Sequence, residues 1–146
     1  MYTYYTKKGK FTTNKVDNID FNKLYRENGP TIEHKNGIKE WHKNGELHRE
    51  GGPAIEYKNG FRRWYAKGKL HRTDGPAVVA PKYYKEWWVN GKQHRLDGPA
   101  VVFYNTVEWF INGKKLNTKE VETWIKKYNI NLKTKAGQIM FILRFR

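Results

Sequence analysis

Two copies of one short motif carry the residue types of catalysis: His71-Arg72-Thr73-Asp74 and His94-Arg95-Leu96-Asp97. An imidazole, a guanidinium and a carboxylate within four positions could move a proton, hold a phosphoryl group or ligate a metal. Each of those chemistries needs more than this chain supplies. A kinase catalytic loop requires an asparagine five residues beyond its aspartate, a glycine-rich loop and a strand lysine, and none accompanies the motif. A serine triad has no nucleophile, because the chain contains no serine. Metal binding fails on placement: His48, His71 and His94 recur one per 23 residues, so they belong to adjacent hairpins and do not converge. The earlier version, His48-Arg49-Glu50-Gly51, also lacks the aspartate. A structural role is expected instead, with the aspartate accepting turn N–H groups, glycine supplying positive φ and arginine spanning neighbouring segments. No catalysis, metal or cofactor is expected.

The spacing of the motif leads back to the elements that hold it. Pro30, Pro53, Pro76 and Pro99 stand 23 residues apart, each after a glycine, and Arg26, Arg49, Arg72 and Arg95 keep the same interval. So do Trp41, Trp64 and Trp87, with Trp109 one residue short. A fixed period over most of a short chain reads as one supersecondary unit copied and stacked. Within the interval 70–92, the runs Pro76–Ala80 and Lys85–Val89 are too short for helices and are bounded by turn residues. Asn90-Gly91 fits a two-residue hairpin turn, as do Asn44-Gly45 and Asn112-Gly113, with Lys67-Gly68 a weaker version. The expected fold is mainly β: tandem 23-residue hairpin repeats over 21–116 forming a meandering twisted sheet or solenoid, two strands per repeat.

Alternation sorts the two faces. Behind each proline comes a small residue (Thr31, Ala54, Ala77, Ala100) and then an apolar one (Ile32, Ile55, Val78, Val101). The four tryptophans share a face with Lys43, Ala66, Val89 and Ile111, which suits a core. The opposite face carries His42, Tyr65, Trp88 and Phe110, an aromatic ring in each interval that varies in kind. Cross-strand packing explains such a ladder at a few tenths to about 1 kcal/mol per pair. A platform for stacked bases in a charged groove, at about 1–3 kcal/mol per base, is the alternative to this favoured packing reading. The candidate binding residues are therefore these four rings with Arg63 and Lys85, joined by Lys126, Lys127, Arg144 and Arg146 of the tail.

The ends must close such an array. Residues 1–20 supply a capping hairpin, Tyr2–Thr6 with Lys10–Thr13 around Lys7-Lys8-Gly9. Residues 117–146 form the other cap. Asn117 and Glu120 mark a helix start for 118–128, with Val121, Trp124, Ile125 and Tyr128 on one face. The apolar segment 135–145 alternates as a strand would, yet Thr134 fits a helix cap; the helix is the favoured reading.

Charge bounds the partners. The chain is 146 residues with a formal net charge of +15 and 16% aromatic content. Residues 1–20 contribute +2, 21–113 contribute +6 and 114–146 contribute +7. Such a field favours nucleic acid, nucleotides, acidic protein surfaces or anionic membranes. There is no cysteine, no apolar run approaching the roughly 20 residues of a membrane span and no signal-like N-terminus. A cytoplasmic protein is expected.

The run Leu-His-Arg-x-Asp-Gly-Pro-Ala, followed by an aromatic strand and Asn-Gly-Lys, resembles MORN-like tandem repeats, in the variant found in tailed phages and giant viruses. The match spans about residues 21–116, and 117–146 resembles the tail of phage proteins that carry such repeats. Ordinary MORN repeats begin Tyr-x-Gly, and these do not, which separates the chain from the lipid binding of the wider family. The resemblance implies a hairpin array used for binding: a module or inhibitor directed at a host protein or nucleoprotein complex, immune complexes included. The alternative is direct binding of nucleic acid or an anionic nucleotide by the basic, aromatic-lined face.

Overall fold

A computed structural model describes all residues, 1–146. Eleven strands make one antiparallel sheet. From one edge inward run Gly9–Thr13, Tyr2–Thr6, Ile32–His34, Lys39–Glu40, Ile55–Glu56 and Arg62–Arg63. Val78–Ala80, Tyr84–Glu86, Val101–Phe103, Thr106–Ile111 and Lys114–Leu116 complete it to the other edge. Beyond the N-terminal hairpin the strands follow in chain order, and those joined by short turns, such as Ile55–Glu56 with Arg62–Arg63, pair antiparallel as such turns require. Lys39–Glu40 with Ile55–Glu56, Arg62–Arg63 with Val78–Ala80 and Tyr84–Glu86 with Val101–Phe103 pair across a longer excursion of the chain. At Asn36-Gly37 and Asn59-Gly60 only the glycine has positive φ, whereas the turns Asn44-Gly45, Lys67-Gly68, Asn90-Gly91 and Asn112-Gly113 have both residues at positive φ, for example Asn90 at 51° and Gly91 at 76°. That is the backbone twist a two-residue hairpin needs.

The strands are not simply two per interval. Three short hairpins stand beside the main sheet: His42–Lys43 with Glu46–Leu47, Tyr65–Ala66 with Lys69–Leu70, and Trp88–Val89 with Lys92–Gln93. The tryptophans mark the junctions. Trp64 donates its N–H to the Ala77 carbonyl in the main sheet (2.8 Å), and its own carbonyl accepts from His71 in the side hairpin (3.1 Å). Trp41 and Trp87 make the same pair of bonds. One residue thus passes the chain from one ladder to the other. Trp109 differs, lying inside the continuous strand Thr106–Ile111.

Little of the middle is held by apolar burial. The Trp41, Trp64 and Trp87 rings are half-buried, and a guanidinium covers each: Arg49 on Trp41 at 3.9 Å, Arg72 on Trp64 at 4.2 Å and Arg95 on Trp87 at 3.7 Å. Arg26 covers Tyr5 in the same way at 3.9 Å. Each arginine also donates from Nη1 to the carbonyl of the proline four residues on, at 3.1–3.3 Å. Because the guanidinium lies on the residue before that proline, a Cβ at Gly75 or Gly98 would stand 3.1 Å from Cζ. That glycine therefore serves close approach. Its φ is positive at Gly29 but not at Gly52, Gly75 or Gly98, which corrects the expectation from sequence. The aspartate's role is likewise corrected: Asp74 and Asp97 accept from arginine Nε (2.8 and 2.6 Å).

The side hairpins are tied to one another by histidine. His48, His71 and His94 accept at Nδ1 from the backbone N–H of Lys67, Asn90 and Asn112, at 3.2, 3.1 and 3.0 Å. The acceptor in each case belongs to one hairpin and the donor to the next turn.

The apolar core gathers at the C-terminal end. Trp109, Ile111 and Leu116 pack with Val121, Leu132, Phe141 and Phe145. Asn117 caps α1 (Thr118–Lys127), and Thr134 caps α2 (Lys135–Phe145), so the apolar segment is a helix. Tyr128 is the C-cap of α1 rather than its last turn. Gly137 lies against the Asn131 carbonyl, leaving no room for a Cβ. The accessible surface is 9805 Å², against about 7,800 Å² expected for a compact chain of this mass. The excess is what a long sheet with its main core at one end exposes.

Ala54, Ala77 and Ala100 are fully buried between the rungs. Ala77→Leu would push methylenes into that space, and a loss of about 1–3 kcal/mol is expected from urea unfolding.

Candidate functional site

Pairing register places the sequence candidates. Glu40, Ile55, Arg63, Val78, Glu86, Val101 and Glu108 face one another in turn across the sheet. Directly paired residues share a face, so Arg63 lies on the face that His42, Tyr65, Trp88 and Phe110 continue two residues on. Lys85 pairs with Val79 and Val102 and belongs to the other face, with Trp87. It is removed from the ladder: it precedes Glu86 by one residue, and side chains alternate.

The ladder itself is packed against its neighbours. His42 is almost wholly buried, and Nδ1 shares a 3.0 Å hydrogen bond with Thr31 Oγ1. Its other ring nitrogen is 3.4 Å from Glu40, whose second oxygen meets His34 Nε2 at 2.7 Å. Phe21 meets the His42 ring edge-on. Trp88 Nε1 and the Tyr84 hydroxyl both donate to Glu86, and Lys115 pairs with Glu108 beside the buried Phe110. Arg63 stands over Phe61 at 4.9 Å with its Nε buried and without a partner. Carboxylates at Glu40, Glu86 and Glu108 thus run the length of this face. His42 and Trp88 are held by hydrogen bonds, Phe110 is buried and Tyr65 half-buried, and with carboxylates beside them these rings make a poor anionic-ligand track.

The tail candidates stay apart from the ladder. Lys126 and Lys127 are exposed at the end of α1, and Lys127 lies over Tyr128 at 5.2 Å. Arg144 pairs with Glu120 at 2.7 Å, joining α2 to α1, and Arg146 is the exposed C-cap of α2.

A basic concavity lies at the opposite end of the molecule. A groove of about 960 Å³ opens between the N-terminal hairpin, the turns around Asn22–Arg26 and the first side hairpin. Lys7, Lys8, Lys23, Arg26, Lys43 and Arg49 line it, against Glu27 and Glu50. Trp41 and His42 form part of its wall, and His42 is the one sequence candidate found there. The groove escapes the sequence reading because its parts are distant along the chain. Lys7-Lys8 reaches Lys43 only after Tyr2–Thr6 pairs with Ile32–His34. The available signal was the Lys-Lys pair at a hairpin turn.

Electrostatics grade the groove. Lys23 holds Asp20 below the usual carboxylate range by hydrogen bond, and Asp20 raises Lys23 in return. Lys43 lowers Glu50 through a 3.0 Å ion pair, with a smaller contribution from His48. Lys7 and Lys8 have no acidic partner. At the far end Arg95 first, with Lys133 assisting, pushes Asp97 down to about 2. Burial raises the Tyr84 hydroxyl to about 12, reinforced by Glu86.

Compared with known families, curated proteins and solved structures, the chain matches none. No helix is long and apolar enough to cross a membrane.

Burial lowers the pKa of His42 and His94 below 6.5, outweighing the Glu40 field at His42. The unfolded chain therefore takes up protons first as pH falls through about 6.5. Stability is complete above that pH and declines toward the lower folded values. Asp97 does not contribute there, since its stabilisation is lost only between 3.8 and about 2. Melting temperature should be level above pH 7.5 and fall as the pH drops below about 6.5, with His94→Gln reducing the fall.

Proposed function

We propose that the chain is a non-catalytic binding protein, a MORN-like array of 23-residue hairpins closed by a hairpin cap and a helical cap, whose N-terminal groove engages an acidic protein surface. The observation that carries this is the groove's lining of six basic side chains against two acidic. A concave wall of one sign concentrates field and accelerates encounter with a partner of the other sign. Recurrence of the arginine–aromatic contacts supports the array reading, since the rungs built by Arg49, Arg72 and Arg95 are alike in partner and distance. From the resemblance to phage repeat proteins, the partner would be a host protein or nucleoprotein complex. Direct capture of nucleic acid is the second reading, favoured by the same charge; the carboxylates along the aromatic ladder argue against stacking there.

Lys7 and Lys8 are exposed at a turn, so reversing them should leave the fold intact. Protein captured from nuclease-treated host lysate should be lost with the Lys7→Glu, Lys8→Glu variant. Capture that disappears on nuclease treatment of the parent protein would replace the protein partner with nucleic acid.

A further inference from the structure

The four arginine rungs differ in one atom's partner. Arg72 and Arg95 donate from Nε to Asp74 and Asp97, two residues on, so each guanidinium edge is closed by a carboxylate of its own chain. At the matching positions after Arg26 and Arg49 stand Asn28 and Gly51. There Nη1 serves the proline carbonyl and a strand glutamate, Glu33 at 2.7 Å and Glu56 at 2.9 Å. Nε and Nη2 of both arginines have no protein partner. These two arginine side chains are also the more open, at 29% and 32% exposure against 25% and 17% for Arg72 and Arg95. Both line the basic groove.

We propose that the free edges of Arg26 and Arg49 are paired receptor sites for two carboxylates of an acidic partner segment, which fill the places that Asp74 and Asp97 fill elsewhere in the chain. The proposal rests on the groove-binding reading above and names its ligand chemistry. A planar guanidinium edge presents two parallel donors, the match for a carboxylate. The internal aspartates show that the clasp accepts that group without giving up its ring or its proline carbonyl. Tyr5 and Trp41, the rings beneath the two arginines, lie two strand spacings apart, or about 10 Å. Two carboxylates of an extended or helical acidic segment can span that interval. Stacking on a ring fixes each guanidinium beforehand, so little side-chain freedom is lost on binding. Lys7 and Lys8 supply the surrounding field. Glu27 and Glu50, also in the groove, limit how much negative charge it takes.

The test uses the full chain with fluorescein-labelled octaglutamate as probe and a twelve-residue oligothymidylate as competitor class, at low salt. Asn28→Asp installs the carboxylate found at the other rungs and should weaken octaglutamate at least fivefold. Asn44→Asp adds the same charge in the groove away from the guanidinium edges, at an Asn-Gly turn that tolerates aspartate, and should cost less than twofold. The side-chain Nε–H resonances of Arg26 and Arg49 should move during the titration while those of Arg72 and Arg95 stay. Asp74→Asn, which opens a third edge, should tighten binding about twofold or more. If Lys7→Glu, Lys8→Glu abolishes octaglutamate binding but Asn28→Asp acts no differently from Asn44→Asp, the arginine edges are not the receptor, although the groove is. If octaglutamate does not bind, or only the oligothymidylate does, the acidic-segment reading of the groove falls as well.

Discussion

A guanidinium clamped between an aromatic ring and a proline carbonyl is the contact on which the middle of this protein depends. It recurs at Arg26, Arg49, Arg72 and Arg95 with ring distances of 3.7–4.2 Å. The clamps of Arg49, Arg72 and Arg95 join the chain returning from a side hairpin to the start of the next main-sheet strand, and that of Arg26 joins the turns after Phe21 to Tyr5 of the N-terminal hairpin. An exposed cation over a ring contributes about 0.5–1 kcal/mol, rising toward 2 when desolvated. The half-buried guanidiniums fall between those limits. The glycine before each proline follows from the clamp, because a Cβ would press into the guanidinium. The alanines that follow three of these prolines, Ala54, Ala77 and Ala100, are likewise fully buried.

This arrangement replaces a continuous apolar core with rungs. Apolar side chains gather where the rungs end, around Phe141 and Val121, and the helices close the last strand there. The N-terminal end has a smaller cluster of Ile19, Leu24 and Ile32, and there the groove opens. The two ends therefore differ in kind. One is sealed by packing, the other is concave, basic and solvated, and only at the second do the clamps keep an unfilled edge.

Much of the scaffold was legible in the sequence because its constraints are local. The two-residue turns at Asn44, Asn90 and Asn112 announce their own φ values, and Asn117 with Glu120, like Thr134, announces a helix start. The alternation of Val78 against Ala77 shows which residues lie on which face. Other features depend on contacts that no local pattern carries. Alternation continues undisturbed through Trp41, Trp64 and Trp87, so nothing reveals that the hydrogen-bond ladder changes partner there. The glycine before proline reads as a turn residue, although its cause is an arginine three positions back. Lys85 stands an odd interval from Trp88, so alternation places the two on opposite faces. The groove was hidden most deeply, since it needs a turn at residues 7–8 brought beside residue 43. Its clue lay in the exception to the motif, the missing aspartate at Asn28 and Gly51.

The account stands on the claim that arginine and ring stabilise the fold together rather than separately. A double-mutant cycle on Arg72→Met and Trp64→Leu, followed by urea unfolding, measures that directly. A coupling energy of about 0.5–2 kcal/mol is predicted. Additive losses within about 0.3–0.5 kcal/mol, the scatter of independent sites, would show that the clamp does not hold the rungs.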